Sequence, residues 1–263
     1  MRVPRSAFAA FLCLAAAVPA GRGQTPPPAA PLPAAVRSGG VGEDAPIVQA
    51  LRNHLELGTR MTYVAWMDTD HEFIGSINGV DAAQNLMPDR FFADWYFTPC
   101  WGVELTWDEI RARSRSDGQN ADGDFLMRGP ILTAFGRYVN FSPFTPSAGI
   151  GLGYMFGGWQ GETWWTYGYG SYDDWAQSGS PSESMDGKMR TMEVSDAVAF
   201  VLTGACDVRM TPRWSANVYA RYMYVTTDLK ANIYQGSRLV DQLNSTGVQM
   251  SNLALGLGVK YSF

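Results

Sequence analysis

Histidine and cysteine are scarce, and these two shortages bound the chemistry. The 263-residue sequence holds only His54 and His71, and its three cysteines are Cys13, Cys100 and Cys206. Two histidines leave little for metal ligation or acid–base work, so no metal site, no cofactor and no catalytic set is expected. Three cysteines, one of them in the leader, give no disulfide framework. One Cys100–Cys206 bridge would need an oxidising compartment; two apolar, wall or turn cysteines are the preferred reading. Long hydrophobic runs are also missing: beyond the first twenty residues no apolar stretch approaches the roughly 18 residues that a helix needs to cross a bilayer. A basic excess is absent, with 20 Lys and Arg against 25 Asp and Glu. A net charge of -5 argues against nucleic-acid binding.

What is abundant is glycine, at 28 residues, and aromatic side chains, at 13%. Together they point to many strands with close backbone approaches. The clearest stretch is the last eleven residues, Leu253–Phe263. Leu253, Leu255, Leu257, Val259, Tyr261 and Phe263 fall on one face, and Ala254, Gly256, Gly258, Lys260 and Ser262 on the other. A strict period of two that lasts to the final residue is the pattern of a strand with lipid on one side and lumen on the other.

Residues 1–20 carry Arg2 and Arg5, then the apolar run 7–18 and the small-residue end Val18-Pro19-Ala20, which is the pattern of a cleaved secretory signal peptide. Residues 21–53 are rich in Pro, Ala and Gly and are read as a periplasmic linker, with a possible short helix from Asp44 and Pro46 onward. From residue 54 to 263 the text becomes strands. Alternation places them at 55–66, 90–98, 101–107, 130–139, 147–156, 196–210, 214–224 and 253–263. Links of three, seven and four residues at 98–100, 140–146 and 210–213 alternate with long ones at 67–89, 109–127, 157–194 and 226–247. A soluble sandwich has no reason to segregate link length in this way. An all-β, eight-stranded antiparallel up-and-down transmembrane β-barrel does: short periplasmic turns, four long extracellular loops.

Phe92-Ala93-Asp94-Trp95-Tyr96-Phe97-Thr98-Pro99 followed by Trp101-Gly102-Val103-Glu104-Leu105 resembles a segment of OmpW-type proteins. Gly129-Pro130-Ile131-Leu132 and Phe144-Thr145-Pro146-Ser147-Ala148-Gly149-Ile150-Gly151 are similar to two further strands of that family, although Phe144-Thr145-Pro146 stands where an arginine usually precedes the proline. The resemblance implies an eight-stranded barrel with a narrow, partly apolar interior that admits small hydrophobic compounds. It also implies that Phe263, with Tyr261 two residues before it, forms the signal read by the outer-membrane barrel assembly machinery. Other expected partners are outer-membrane lipid and lipopolysaccharide.

The charged residues of the strand segments, Glu56, Arg60, Asp94, Glu104, Asp108, Arg137, Asp207, Arg221 and Lys260, must face inward, because an Arg or Lys facing lipid near the midplane costs about 2–4 kcal/mol. A salt-bridged plug of the lumen is preferred over an open polar conduit. Trp66, Trp95, Tyr96, Trp101, Trp107, Tyr154, Trp214, Tyr222 and Tyr261 are read as interfacial girdles. Trp164, Trp165, Tyr167, Tyr169 and Tyr172 alternate poorly; they either extend a strand above the membrane or form a contact loop. Asp68, Asp70 and His71 offer a rim acid–base set, but no later histidine completes it, and an enzyme is not expected. The functional expectation is a narrow passive conduit for small hydrophobic molecules in the outer membrane; the alternative is a barrel that transports nothing and acts structurally or adhesively through its loops.

Deleting Phe263 is expected to impair insertion. A normal yield of heat-modifiable barrel in the membrane fraction after that deletion counts against the assembly role.

Overall fold

Alternation with a period of two continues far beyond the segments expected to cross the membrane. A computed structural model describes residues 54–67, 74, 77–83, 86–116 and 120–263. The leader, the linker, its short helix and the Asp68, Asp70 and His71 set lie outside the described residues. The strands are β1 (Leu55–Met67), β2 (Ile77–Ala82), β3 (Leu86–Thr98), β4 (Trp101–Ser116), β5 (Gly123–Arg137), β6 (Phe144–Gly161), β7 (Lys188–Val194), β8 (Ala197–Arg209), β9 (Trp214–Gln235), β10 (Arg238–Gln249) and β11 (Asn252–Ser262). Two short helices, α1 (Thr163–Thr166) and α2 (Tyr172–Gln177), stand between β6 and β7.

Eight of the strands close into a ring in the order β1, β3, β4, β5, β6, β8, β9, β11, every neighbour antiparallel. The last ladder to form the ring joins β11 to β1, from Glu56 opposite Ser262 to Met67 opposite Asn252. The carboxyl-terminal strand is therefore hydrogen-bonded on both sides, to β1 and to β9. Both chain ends of the barrel and its tight turns lie at one end, where Arg137 N–H donates to the Cys100 carbonyl at 2.8 Å and Ser262 N–H to the Arg213 carbonyl at 2.9 Å.

Through the lower half the outer face is apolar. Leu57, Met61, Phe91, Leu105, Leu132, Ile150, Leu152, Phe200, Val218 and Leu257 are all exposed, a belt that is stable only against lipid. Rings mark its margins, with Phe97, Trp101, Phe144 and Trp214 at the tight-turn end and Tyr63, Trp107, Tyr154 and Tyr224 at the other. Tyr96 is a correction: it points into the lumen and is buried, because it shares the parity of Asp94 and not that of Trp95. The Trp66 side chain lies outside what the structure describes.

Two of the long links, 109–127 and 226–247, are also corrected, since most of their residues are strand. β4 runs to Ser116, β5 begins at Gly123, and β9 runs to Gln235 and turns back as β10. The reason is a reversal of polarity within single strands. On β4 the outward residues change from Trp101, Val103, Leu105 and Trp107 to Glu109, Arg111 and Arg113; the inward ones change from Glu104 and Asp108 to Ile110 and Ala112. Above the belt the wall meets water and the interior becomes an ordinary hydrophobic core. Phe125, Met127, Ile131, Met155, Met223, Val225 and Met250 are fully buried there. Trp164, Trp165 and Tyr169 join the same core from the α1 segment.

Several strands touch more closely than side chains allow. A Cβ on Gly129 would collide with the Tyr154 backbone carbonyl, whereas one on Gly136 would meet the edge of the Trp101 ring at 3.1 Å. Gly129→Ala is expected to destabilise the barrel by about 1–3 kcal/mol in urea unfolding, and Gly136→Ala by less, because a ring can shift more readily than a strand's backbone carbonyl. Equal effects would contradict this account.

Candidate functional site

The inward parity of β1, β3, β4, β8, β9 and β11 brings charges of both signs to one level of the lumen. Arg60 on β1 makes a bidentate pair with Glu104 on β4, Nη1 to Oε1 at 2.8 Å and Nη2 to Oε2 at 2.7 Å. Its Nε donates to Asn217 Oδ1 at 2.7 Å, and Asn217 donates in turn to Asp207 at 2.5 Å. Lys260 on β11 bridges Asp94 and Asp207, at 2.8 Å each. Asp108 is ion-paired to both Arg90 and Arg221 and is fully buried. Nearer the tight-turn mouth, Glu56 accepts from Tyr96 Oη at 2.8 Å and from Ser262 Oγ at 3.0 Å, and lies 3.8 Å from Arg137.

All nine charged residues expected in the lumen thus face inward, with Glu56 and Arg137 nearer the tight-turn mouth than the rest. The sequence reading missed Arg90, although it is the first residue of the expected strand 90–98 and shares its parity with Asp94. With Arg90 included, Arg60, Arg90, Arg137, Arg221 and Lys260 face Glu56, Asp94, Glu104, Asp108 and Asp207, so the signs balance. Rings fill the rest. The Arg60 guanidinium lies 3.7 Å from the centre of the Phe92 ring and 4.3 Å from that of Tyr219. The Tyr219 ring lies over Gly256, where a Cβ would come within 2.7 Å of it. The space left among Arg60, Asp94, Glu104, Tyr219 and Lys260 is about 20 Å³, room for roughly one water.

A second feature is a break in the wall. The β3–β4 ladder runs from Thr98 opposite Trp101 to Phe92 opposite Thr106 and then stops. Above it β3 is held by β1, and β4 by β5, with β2 joining β4 from Ala112 upward. Pro88 lies in this part of β3 and has no N–H to offer a ladder. Side chains take over the seam. Glu109 N–H donates to Asp108 Oδ1 at 2.8 Å, the Glu109 carbonyl accepts from Arg90 Nη2 at 2.6 Å, and the Phe91 carbonyl accepts from Thr106 Oγ1 at 3.0 Å. On the outer wall at this place lies a groove of about 310 Å³, lined by Leu57, Phe91, Phe92, Ala93, Leu105, Thr106, Trp107 and Pro130. Phe92 belongs both to the groove and to the charge layer, under Arg60.

The aromatic loop residues behave differently from either expectation. Trp164, Trp165 and Tyr169 are buried in the upper core, so they are neither a strand extension nor a free contact surface. The Arg190 guanidinium holds this segment down through the carbonyls of Gly168 and Tyr169, at 3.3 and 3.4 Å. Tyr167 is half-buried and Tyr172 is exposed. Tyr261 sits beside Trp214 and Phe263 at the tight-turn end, with ring centres 4.9 and 5.1 Å away. Cys100 and Cys206 are free thiols, the first exposed in its turn. Among the described residues no group of His, Cys, Asp and Glu is arranged to hold a metal ion.

No protein-family model matches the chain, and no curated protein matches it. Solved structures do. OprG from Pseudomonas aeruginosa aligns at 17% identity over 80% of this chain and 96% of its own, with a TM-score of 0.54. AlkL, solved in DMPC bilayers, aligns at 16% identity over 80% and 90%, with a TM-score of 0.50. OmpW from Escherichia coli aligns at 16% identity over 80% and 97%, with a TM-score of 0.47. At such identities the likeness is one of fold: this chain has the OmpW-like eight-stranded outer-membrane barrel fold of OprG and AlkL.

Asp108→Ala leaves Arg90 and Arg221 buried without their shared carboxylate and is expected to cost about 3–5 kcal/mol of barrel stability. Arg137→Gln, at the mouth and partly hydrated, is expected to cost less than about 1 kcal/mol. Urea unfolding followed by the heat-modifiable gel shift measures both; equal costs would show that burial does not set the energetics of this layer.

Proposed function

We propose that this chain is an outer-membrane barrel that lets small hydrophobic molecules pass sideways through its wall at the β3–β4 seam. The observation that carries the reading is the apolar groove of about 310 Å³ where the ladder stops, reaching inward to Phe92. Three supports stand beside it. The shared fold favours placement in the outer membrane. The charge layer, with room for about one water, leaves no straight aqueous route along the axis. The upper interior is apolar and rich in methionine, whose unbranched side chains rearrange more readily than branched ones. A solute entering from the loop side would meet mainly apolar contacts until the charge layer turned it toward the seam.

A second reading, a structural barrel that transports nothing, is favoured by one observation: Met127, Met155, Met223 and Met250 are completely buried, so the upper interior is packed. Passage then requires those side chains and the α1 segment to move. The two readings differ in cells. A deletion strain that loses envelope integrity while taking up small apolar compounds normally supports the structural barrel.

The seam gives a direct test. In a Cys100→Ser, Cys206→Ala background, Phe91→Cys with Trp107→Cys places two thiols where the β3–β4 register would continue if the ladder did. Oxidation is expected to reduce uptake of a small apolar compound to the level of the deletion strain, and a reductant to restore it. Unchanged uptake with the crosslink formed sinks the lateral route. A planar-bilayer recording is expected to show no steady ion conductance comparable to wide porins.

A further inference from the structure

Above the charge layer, uncharged polar side chains are buried with an open hydrogen-bonding atom. Thr62 on β1, Ser251 just before β11 and Asn252 at its start are almost wholly enclosed. Thr62 Oγ1, Ser251 Oγ and Asn252 Oδ1 have no hydrogen-bond partner among the described residues. A buried acceptor left unmet works against folding, and native interiors keep few of them. Two of these groups share the inward parity of their strands. Thr62 is one inward step above Arg60, and Asn252 continues the inward row of Ala254, Gly256 and Lys260.

Their surroundings can make room. Asn252 stands opposite Met67 on β1 and Met223 on β9, and its Nδ2 donates to the Met250 carbonyl at 3.5 Å, which leaves Oδ1 as the open acceptor. All three methionines are buried, and their unbranched side chains rearrange more readily than branched ones. Thr62 faces Gly256 across its ladder, where a Cβ would lie 3.4 Å from Thr62 Oγ1. On the other side Thr62 is opposite Met87, in the part of β3 that has parted from β4. One course along β1 and β11 therefore carries Asn252 above and Thr62 beside the seam.

We propose that the solute is an apolar molecule with one hydrogen-bond donor, of the class of phenols and short alkanols, and that Asn252 Oδ1 and then Thr62 Oγ1 receive its O–H. The inference rests on the lateral-conduit reading and names what that conduit selects. A hydroxyl that leaves water for an apolar interior loses its hydrogen bonds. Here the loss is offset, because an acceptor already stripped of water stands inside the wall. A hydrocarbon leaves both protein groups unmet and gains nothing from them. Apolar contacts decide admission, and the donor decides preference.

The test measures entry of p-cresol, 4-methylanisole and toluene into cells, each as the rate in excess of a deletion strain. The first two share a ring and an oxygen, but only p-cresol donates. Wild type is expected to pass p-cresol about 10-fold faster than toluene, with 4-methylanisole close to toluene. Asn252→Leu is expected to bring p-cresol within about 2-fold of toluene, and Thr62→Val, which keeps the shape and removes the hydroxyl, to lower the preference about 3-fold. The heat-modifiable gel shift checks that the ring closes, and Thr62→Val carries the test if Asn252→Leu does not fold. Folded Thr62→Val is expected to unfold at the same or a higher urea concentration, since an unmet polar atom is removed; a lower midpoint would assign the hydroxyl a structural role instead. Equal excess rates for p-cresol and toluene, equal rates for p-cresol and 4-methylanisole, or an undiminished preference in every folded variant overturns the proposal and leaves the conduit standing. No excess rate for any of the three compounds sinks the conduit itself, and this inference with it.

Discussion

Every charge on the inner face of the wall must find its partner inside the ring, and the lower half of this barrel is built around that constraint. The outer face is committed to lipid, so the inner face is where the strands put what cannot be exposed there. Once a carboxylate such as Asp108 is fully buried, it needs cations within contact distance, and Arg90 comes from the adjacent β3 and Arg221 from β9, directly across the ring. The same holds for Lys260 between Asp94 and Asp207, and for Arg60 with Glu104. These pairs connect β1, β3, β4, β8, β9 and β11 through the lumen as well as through the ladders. Register is fixed as a consequence, because a slip of one residue would turn each charge outward into lipid.

Much of this was readable from alternation. The eight ring strands, the closing role of Leu253–Phe263 and the inward parity of the charges all follow from a period of two with apolar residues outside. What escaped follows from one physical change along the chain. The search pattern, apolar out and polar in, holds only where the wall touches lipid. Above Trp107 on β4 and Pro130 on β5 the solvent is water and the pattern reverses, so Ile110, Ala112, Phe125 and Met127 read as loop when they are the inner face of the same strands. Trp164 and Trp165 misled for a related reason: an aromatic run without alternation looks like a contact surface, and its burial in the upper core depends on contacts far apart in sequence. Tyr96 was a matter of choosing between two adjacent rings, and parity with Asp94 decides it.

The seam was not readable, although its ingredients were. Pro88 is visible in the sequence, but losing one N–H does not say which neighbour is abandoned. The structure shows β1 keeping its hold on β3 while β4 parts from it, and side chains taking over the orphaned backbone groups. Asp108 accepts the Glu109 N–H that a ladder would have used, and Arg90 donates to the Glu109 carbonyl. The ion pair that neutralises the lumen is thereby also the pair that closes the wall.

That double role bears on how a packed charge layer and the proposed lateral opening would coexist. A plug held together by itself would be indifferent to the wall, and a gap in the wall would be indifferent to the plug. Here Arg90 is on β3 and Asp108 on β4, on opposite sides of the break, so any widening of the seam stretches a contact of the charge layer. Arg221, the other partner of Asp108, keeps the carboxylate paired while Arg90 moves away, which limits the cost of opening to one of two ion contacts. Phe92 lies on the same strand as Arg90, with its ring against the Arg60 guanidinium, and is also among the residues that line the outer groove. Movement of β3 therefore shifts an apolar ring, while Arg60 and Glu104 stay paired behind it. On the proposed lateral route the outer groove is lined by uncharged groups, and among the described residues the ion pair that spans the break is Arg90 with Asp108, while the other pairs of the layer do not have to separate.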